Sequence, residues 1–407
     1  MPDQDIDFIL RRGVFEIISE QELRALLGKG EPLRLKMGFD PSRPDLHLGH
    51  AVALRKLRQL QELGHKVILI VGDWTGRIGD PSGQSEMRTM LSEEQVNANA
   101  ETYMRQFFRI VDRDRTEAVY QSEWFGHFDL ADVIALTRHF TVAQMLARQD
   151  FAQRHAANRP IAITEFLYPL LQGQDSVEIR SDVEFGGSDQ KFNCLVGRDL
   201  QGMVGQRPQQ VFLVPLLVGT DGRKMSKSFG NTVDFEAQPN DMYGKLMSIS
   251  DAVMMDYFNL LTDVPDEELA EFGRQLESSS VNPMDIKHRL ASEVVTQFHS
   301  PEAASAAQTN FRRVVQDRQT PEDVPEKTMA DLQTAAGDGQ PGALTPALLM
   351  RVLTSWGLAE SSREARRLIE QGGVQVDGVK VGEAPVSLKP GSLIQVGRRR
   401  YVRIVES

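Results

Sequence analysis

The chain has 407 residues, 41% of them hydrophobic and 25% charged, a balance that excludes wholesale disorder and suits about two to three cored domains. No apolar run approaches the ~20 residues that cross a bilayer, no basic-then-apolar leader opens the chain, and the single cysteine, Cys194, excludes an internal disulfide or a Cys-rich zinc site, so a cytoplasmic protein with no membrane partner is expected. The formal net charge of −11 is uneven: residues 347–407 carry ten Lys or Arg against six Asp or Glu, a basic tail on an acidic body, and such a tail can still attract nucleic acid.

Ser19 and Glu22 form a capping-box start for a helix to about Leu27. The alternating run 32–39 reads as a strand, and residues 48–63 carry apolar side chains at helical spacing up to Gly64. Residues 66–72 are a buried-strand run, so a strand–helix–strand unit opens a parallel sheet with a right-handed crossover. Ser92 with Gln95 caps a long helix toward Val111, and helical stretches follow over 130–139, 141–148 and 164–171. The run 211–216 is the last buried strand, followed by a glycine-bounded loop from Gly219 to Gly230. After Asn240 the pattern predicts only helices, over 242–249, 252–261, 266–277, 283–298 and 301–315. Residues 331–346, rich in Gly, Ala, Gln and Pro, read as a linker. The tail then has two helices, 347–356 and 362–371, and short strands around an Asp377-Gly378 hairpin turn.

Three groups of residues carry chemistry. Gly38-Phe39-Asp40-Pro41 and His47-Leu48-Gly49-His50 lie where the first strand feeds its helix. A helix N-terminus offers free N–H groups and partial positive charge to a phosphate. His47 and His50 can face one ligand, and Gly49 leaves room for a flat base on the backbone. A metal pair or two surface histidines fit the same spacing, although no third and fourth ligand lies near in sequence. Lys224-Met225-Ser226-Lys227-Ser228 follows the last strand, where two lysines and two hydroxyls can close on a polyphosphate. Taken alone, that segment reads more simply as a solvated basic loop. Tyr168, Gln172 and Asp175 stand at i, i+4 and i+7, on one helix face. A carboxylate at the base of an apolar pocket would accept a phenol hydrogen bond, and a ligand without the hydroxyl would leave it unpaired. An ordinary amphipathic helix with a polar stripe has the same spacing.

Together, His47–His50 and Lys224–Ser228 resemble the two signature motifs of the class I aminoacyl-tRNA synthetases, with Leu48 where the family usually has isoleucine. With Gly38–Pro41, Gly79-Asp80-Pro81-Ser82-Gly83, the Tyr168/Gln172/Asp175 set and Gly186-Gly187-Ser188-Asp189-Gln190 in that order, the chain resembles the bacterial tyrosyl-tRNA synthetases over essentially its whole length. The resemblance implies an α/β fold: a Rossmann-like parallel-sheet catalytic domain over 1–236, an all-helical tRNA-recognition domain over 237–330 and, after the linker, a small α+β S4-like RNA-binding domain over 347–407. It implies ligation of L-tyrosine to tRNA(Tyr) through a tyrosyl-adenylate. ATP would enter as a substrate with Mg2+, with no metal site and no permanently bound cofactor, in a homodimer meeting near residues 125–166.

On the same resemblance, His47, His50, Lys224 and Lys227 are the catalytic residues, acting on the phosphates. Gly38, Asp40, Gly49, Gly187, Asp189, Met225, Ser226 and Ser228 complete the ATP site. Asp175 takes the tyrosine hydroxyl; Asp80, Tyr168, Gln172 and Gln190 take the α-amino group; Gly38 and Lys36 also belong to the tyrosine pocket. Lys36 stands where many bacterial members carry tyrosine, and it resembles a subgroup with lysine there. It would pair with Asp175, contact the phenol, or point away. In the tail, Arg351, Arg363, Arg366, Arg367 and the run Arg398, Arg399, Arg400 are the candidate RNA contacts. Two other readings stay open: a tryptophanyl-tRNA synthetase, and an RNA-binding or splicing partner built on a synthetase body.

Overall fold

In the computed structural model, which describes residues 3–41, 45–82, 92–226, 229–316, 324–337, 344–382, 384–397 and 400–406, the strand–helix–strand run near the start becomes part of a six-stranded sheet. Gly83, Lys227, Ser228, Arg398 and Arg399 lie outside the described residues. The strands are β1 (Glu16–Ile18), β2 (Arg34–Phe39), β3 (Lys66–Val71), β4 (Thr116–Tyr120), β5 (Val183–Gly187) and β6 (Gln210–Val214), in spatial order β1-β6-β5-β2-β3-β4. β1 pairs antiparallel with β6, and every other pair is parallel. Central parallel strands are covered on both faces, so they read as continuous apolar runs, as in Val67-Ile68-Leu69-Ile70.

The pattern anticipates β2, β3 and β6 but not β1, β4 or β5. β1 has only three residues, β4 lies at the sheet edge, and β5 mixes Glu184, Gly186 and Gly187 into its apolar run. None of them shows a clean period. β2 continues into the helix Leu48–Glu62 toward β3 on one side, and β5 into the helix Lys191–Met203 toward β6 on the other. The carboxyl ends of β2 and β5 therefore flank the crevice where an open α/β sheet takes its ligands.

The helix expected over 164–171 runs Ile163–Glu178, straight through Pro169 and Gly173. Tertiary packing overrides the breakers. A Cβ on Gly173 would stand 2.9 Å from Leu200 and 3.0 Å from Val196, so the missing side chain lets the helices Ile163–Glu178 and Lys191–Met203 approach closely. The helices Asp251–Leu261, Asp266–Glu277 and Pro283–Phe298 form close to their expected bounds. They do not form a unit of their own: one compact unit spans Met1–Ala304 and the other Ser305–Ser407. Arg12, which directly follows the N-terminal helix Asp3–Arg11, explains part of this. Its buried guanidinium donates to the carbonyls of Phe258, Asn259, Thr262 and Val264, where the helix Asp251–Leu261 ends. Tyr257 donates to Val218 O at 2.6 Å, which ties the same helix to the segment after β6.

The second unit contains a five-stranded sheet, β7 (Glu326–Thr328), β8 (Val374–Val376), β9 (Val379–Lys380), β10 (Leu393–Val396) and β11 (Arg400–Val405), in order β7-β11-β10-β8-β9. Asp377 and Gly378, both at positive φ, make the predicted hairpin turn between β8 and β9. The linker expected over 331–346 begins instead within a helix, Met329–Ala336, capped by Thr328 and Asp331. Its Leu332, Ala335 and Ala336 are buried with Leu349, Val352 and Leu353 of the helix Pro346–Ser355. The Ala- and Gln-rich composition hides an apolar face at i, i+3 and i+4.

Because Gly173 has no room for a side chain, Gly173→Val should overpack the contact with Val196 and Leu200. We expect a loss of about 1–3 kcal/mol in a denaturant titration; unchanged stability would show that the two helices can separate freely.

Candidate active site

The His47–His50 motif opens the helix Leu48–Glu62. His47 is the N-cap: its Nδ1 accepts the Gly49 N–H at 3.2 Å, while His50 Nδ1 accepts the His47 N–H at 3.2 Å. The rings pack at 4.1 Å between centroids. A Cβ on Gly49 would lie 2.9 Å from the His47 ring, so glycine is needed for this cap. Leu48 N–H donates to Val233 O at 2.9 Å and His47 bridges Asp234, which docks the chain after the Lys224–Ser228 loop onto this helix start.

That loop is a hairpin closed by a Val218–Lys224 bridge. Asn231 holds it from inside: its Oδ1 accepts the Ser226 N–H at 2.8 Å, and its Nδ2 donates to Asp221 at 2.7 Å and to Lys224 O at 3.1 Å. The Asn231 side chain rests against Gly219, where a Cβ would come within 2.4 Å of it. Met225 is buried, with its sulfur facing Gly49. Lys224 Nζ lies 2.6 Å from Asp189 Oδ2 in an exposed ion pair. The two motifs are thus adjacent in space, although Lys227 and Ser228 lie outside the described residues.

The polar face of the helix Ile163–Glu178 looks onto the crevice. Asp175 is buried; Gln121 Nε2 donates to its Oδ2 at 2.8 Å and Trp124 Nε1 to its Oδ1 at 3.2 Å. Burial pushes the carboxyl up to about 7, against the opposing pull of the Lys36 ammonium and the Gln121 hydrogen bond. Gln121 Oε1 also accepts the Thr75 N–H at 2.9 Å, and the Thr75 hydroxyl donates to Asp40 Oδ1 at 2.6 Å. Tyr168 donates to Asp40 Oδ2 at 2.8 Å; burial, then Asp40, hold its phenol well above the usual range and therefore protonated. Gly72 makes room for this group, since a Cβ there would stand 2.4 Å from both Asp40 and Thr75.

A second network lies beside the first. Asp80 accepts the Ser82 N–H at 2.8 Å and Gln190 Nε2 at 2.7 Å, with Arg148 Nη2 at 3.5 Å. Asn193 Nδ2 donates to Gln190 Oε1 at 2.9 Å and to Gln172 Oε1 at 3.1 Å, and Arg148 Nη1 donates to Asn193 Oδ1 at 2.9 Å. Asp40, Asp80, Tyr168, Gln172, Asp175 and Gln190, scattered in sequence, thus gather at one crevice. Two carboxylates beside amide oxygens suit an ammonium group, and a buried carboxylate below them suits a hydroxyl donor.

Lys36 takes none of the three expected placements in full. Its ammonium is a Coulombic neighbour of Asp175, but it is bonded beneath the pocket to Glu184 and to the helix above. A direct phenol contact by Lys36 is therefore not supported: all three of its protons have acceptors. The sequence reading also missed Thr75, Gln121, Trp124, Arg148, Glu184 and Asn193. Glu184 alone had a signal, a charged residue inside an otherwise apolar strand-length run.

In the second unit, Arg351, Arg363, Arg366 and Arg367 are exposed on the helices Pro346–Ser355 and Ser362–Glu370, the latter burying Ala365 and Ile369 on its other face. Arg400 is partly buried and donates to Glu364 at 3.3 Å, so it serves the fold as well as any ligand. Arg403 adds an exposed arginine on β11 that the sequence reading passed over.

Residues 28–316 match the tRNA synthetases class I (W and Y), and residues 349–394 match the S4 domain. The chain is 55% identical over 404 residues to a tyrosine–tRNA ligase of Dehalococcoides mccartyi strain CBDB1, covering 99% of both chains. It is 47% identical over 412 residues to a tyrosine–tRNA ligase of Thermotoga maritima, covering 99% of this chain and 98% of that one. A tyrosyl-tRNA synthetase from Archaeoglobus fulgidus, solved with L-tyrosine, superposes with a TM-score of 0.62 at 23% identity over 75% of this chain and 99% of that chain, a likeness of fold. The chain belongs to the class I tRNA synthetases and, within them, to the tyrosine–tRNA ligases.

The raised Asp175 carboxyl has a consequence for stability. The unfolded chain ionises this group near 3.8, the folded chain near 7, so its ionisation costs folding stability progressively between those values and by a constant amount above them. Asp175→Asn should therefore gain stability relative to the parent as pH rises from 4 to 8, by up to about 4 kcal/mol. A difference that stays flat across that range in urea titrations would rule out the raised value.

Proposed function

We infer that the chain activates L-tyrosine with ATP and transfers it to tRNA(Tyr). The observation that carries this reading is the buried Asp175, held by Gln121 and Trp124 on the helix face that also presents Tyr168 and Gln172, beside the adjoining His47–His50 and Lys224–Ser228 motifs. Asp175 accepts the tyrosine hydroxyl. Asp80, the Tyr168 hydroxyl and the Gln172 and Gln190 amides surround the α-amino group, which leaves the carboxylate facing the helix start at His47. Asp40, already bonded to Tyr168 and Thr75, stands between the amino acid and the nucleotide.

In the first step a tyrosine carboxylate oxygen bonds to the α-phosphorus in line, and the bond to pyrophosphate breaks. The nucleophile is already ionised, so no general base is required, and catalysis comes from positioning and charge stabilisation. His47 and His50 at the helix N-terminus, with Lys224 and Lys227 from the loop, act on the phosphates as charge builds. Gly38, Gly49 and Gly187 let the nucleotide approach the backbone, Asp189 takes the ribose, and Met225, Ser226 and Ser228 complete the loop's grip. The nucleotide separates the Lys224–Asp189 pair and gives each partner a better one. Magnesium comes with ATP as part of the substrate. In the second step a terminal ribose hydroxyl of the tRNA attacks the adenylate carbonyl, and AMP leaves.

Two further parts of the reading concern partners. Leu130, Ile134, Val142 and Ile163 are exposed large apolar side chains within 125–166, with Ile163 80% exposed, and they support a homodimer contact there. The exposed arginines of the second unit supply the charge that the acidic body lacks for holding tRNA.

Pyrophosphate exchange into ATP, with tyrosine, tryptophan and phenylalanine in parallel, tests the first step. Exchange should depend on tyrosine, and Asp175→Ala should remove it; exchange driven by tryptophan would overturn the specificity. Arg363→Ala/Arg366→Ala/Arg367→Ala should leave exchange intact, weaken tRNA charging, and make charging less sensitive to salt. Charging with parental strength and parental salt dependence would remove the RNA role of this helix.

A further inference from the structure

Lys36 on β2 and Glu184 on β5 are register partners across the two strands that flank the crevice. Both side chains are enclosed, 0% and 1% exposed, with Nζ and Oε1 2.9 Å apart. The Lys36 ammonium has three protons and three acceptors: Gln172 O at 2.7 Å, Ser176 Oγ at 2.7 Å and Glu184. Glu184 in turn accepts from Gln172 Nε2 at 3.0 Å, from the Ser176 hydroxyl at 3.3 Å and from Gln209 Nε2. Every one of these bonds to the helix Ile163–Glu178 falls on residue 172 or 176, which flank Asp175.

A buried ion pair is a poor device for stability alone, because apolar residues of the same volume do as well or better. This one grips the part of the helix that carries the pocket's polar face. Glu184 also determines the orientation of the Gln172 amide. With Nε2 held from below, Oε1 is left for Asn193 and for an incoming ammonium.

We propose that Lys36 and Glu184 form a positioning pair for tyrosine recognition, fixing Gln172 and Asp175 from beneath without touching the substrate. The proposal rests on the assignment of Asp175 to the tyrosine hydroxyl. The pair governs affinity for tyrosine and its selection over phenylalanine, and leaves ATP binding alone.

The test is pyrophosphate exchange with Lys36→Met/Glu184→Gln, which leaves no unpaired buried charge, and with Glu184→Gln, which keeps the size of the side chain should the double variant fail to fold. The KM for tyrosine should rise more than five-fold and the preference for tyrosine over phenylalanine in kcat/KM should fall more than five-fold, with the KM for ATP within two-fold of the parent. A folded variant with smaller changes in tyrosine KM and selectivity overturns the proposal, even if kcat falls, since that is the pattern of a purely structural pair. If the unaltered chain shows no tyrosine-dependent exchange, the underlying substrate assignment fails and the proposal with it. Exchange by the unaltered chain with indifferent variants defeats the proposal alone.

Discussion

The catalytic unit depends on one pairing, β2 beside β5. They are parallel neighbours whose following segments leave in opposite directions, toward β3 and toward β6. Residues far apart in sequence are therefore delivered to one place: Asp40 just past β2, Gly187 at the end of β5 with Asp189 just past it, and the His47 cap at the first helix after β2. The same pairing puts Lys36 and Glu184 side by side below, under the helix that carries Tyr168, Gln172 and Asp175. A one-residue slip between the strands would put the two charges on opposite faces of the sheet.

Around that crevice the polar groups are extensively paired. Gln121 donates to Asp175 and accepts from Thr75; Asn193 donates to both Gln172 and Gln190 and accepts from Arg148. Networks of this kind are costly when half satisfied and rigid when complete. Most of the residues that complete them point at other protein groups rather than into the crevice. They hold the site before any ligand arrives, which lowers the ordering cost that binding would otherwise carry.

This division explains what could be read in the sequence. The residues proposed to face ligand lie in short motifs whose chemistry is local: two histidines at a helix start, lysines and hydroxyls in a glycine-bounded loop, three polar residues on one helix face. Strong periods also gave β2, β3 and the helices Asp266–Glu277 and Pro283–Phe298. The supporting residues had no such signature. Gln121, Trp124, Arg148 and Asn193 matter only through partners tens of residues away. The fate of Lys36 turned on Glu184, 148 positions further on, and on a strand, β5, whose glycines hid it. From residue 331 on, the helix Met329–Ala336 reads as linker in the sequence, because alanines bury as well as leucines in a small core but look featureless in composition.

The Asp175 carboxylate poses the sharpest energetic question. Enclosure favours its neutral form, yet both of its oxygens receive hydrogen bonds, from Gln121 and Trp124, and those bonds favour the ionised one. A carboxylate can accept about four hydrogen bonds, so two donors leave it capacity for a phenol proton. The group is therefore well placed to penalise its wrong ligand. Phenylalanine would displace whatever solvent reaches the pocket and return no donor, and a buried acceptor left short costs about 1–3 kcal/mol, more when it is charged. Selectivity on this account grows with the charge Asp175 bears. The nearby ammonium of Lys36 favours that charge, while Glu184 both opposes it electrostatically and holds the lysine in place. The pair thus meets the pocket in two ways: its hydrogen bonds hold the helix turn at residues 172 and 176, and its ammonium keeps a cation near the Asp175 carboxylate.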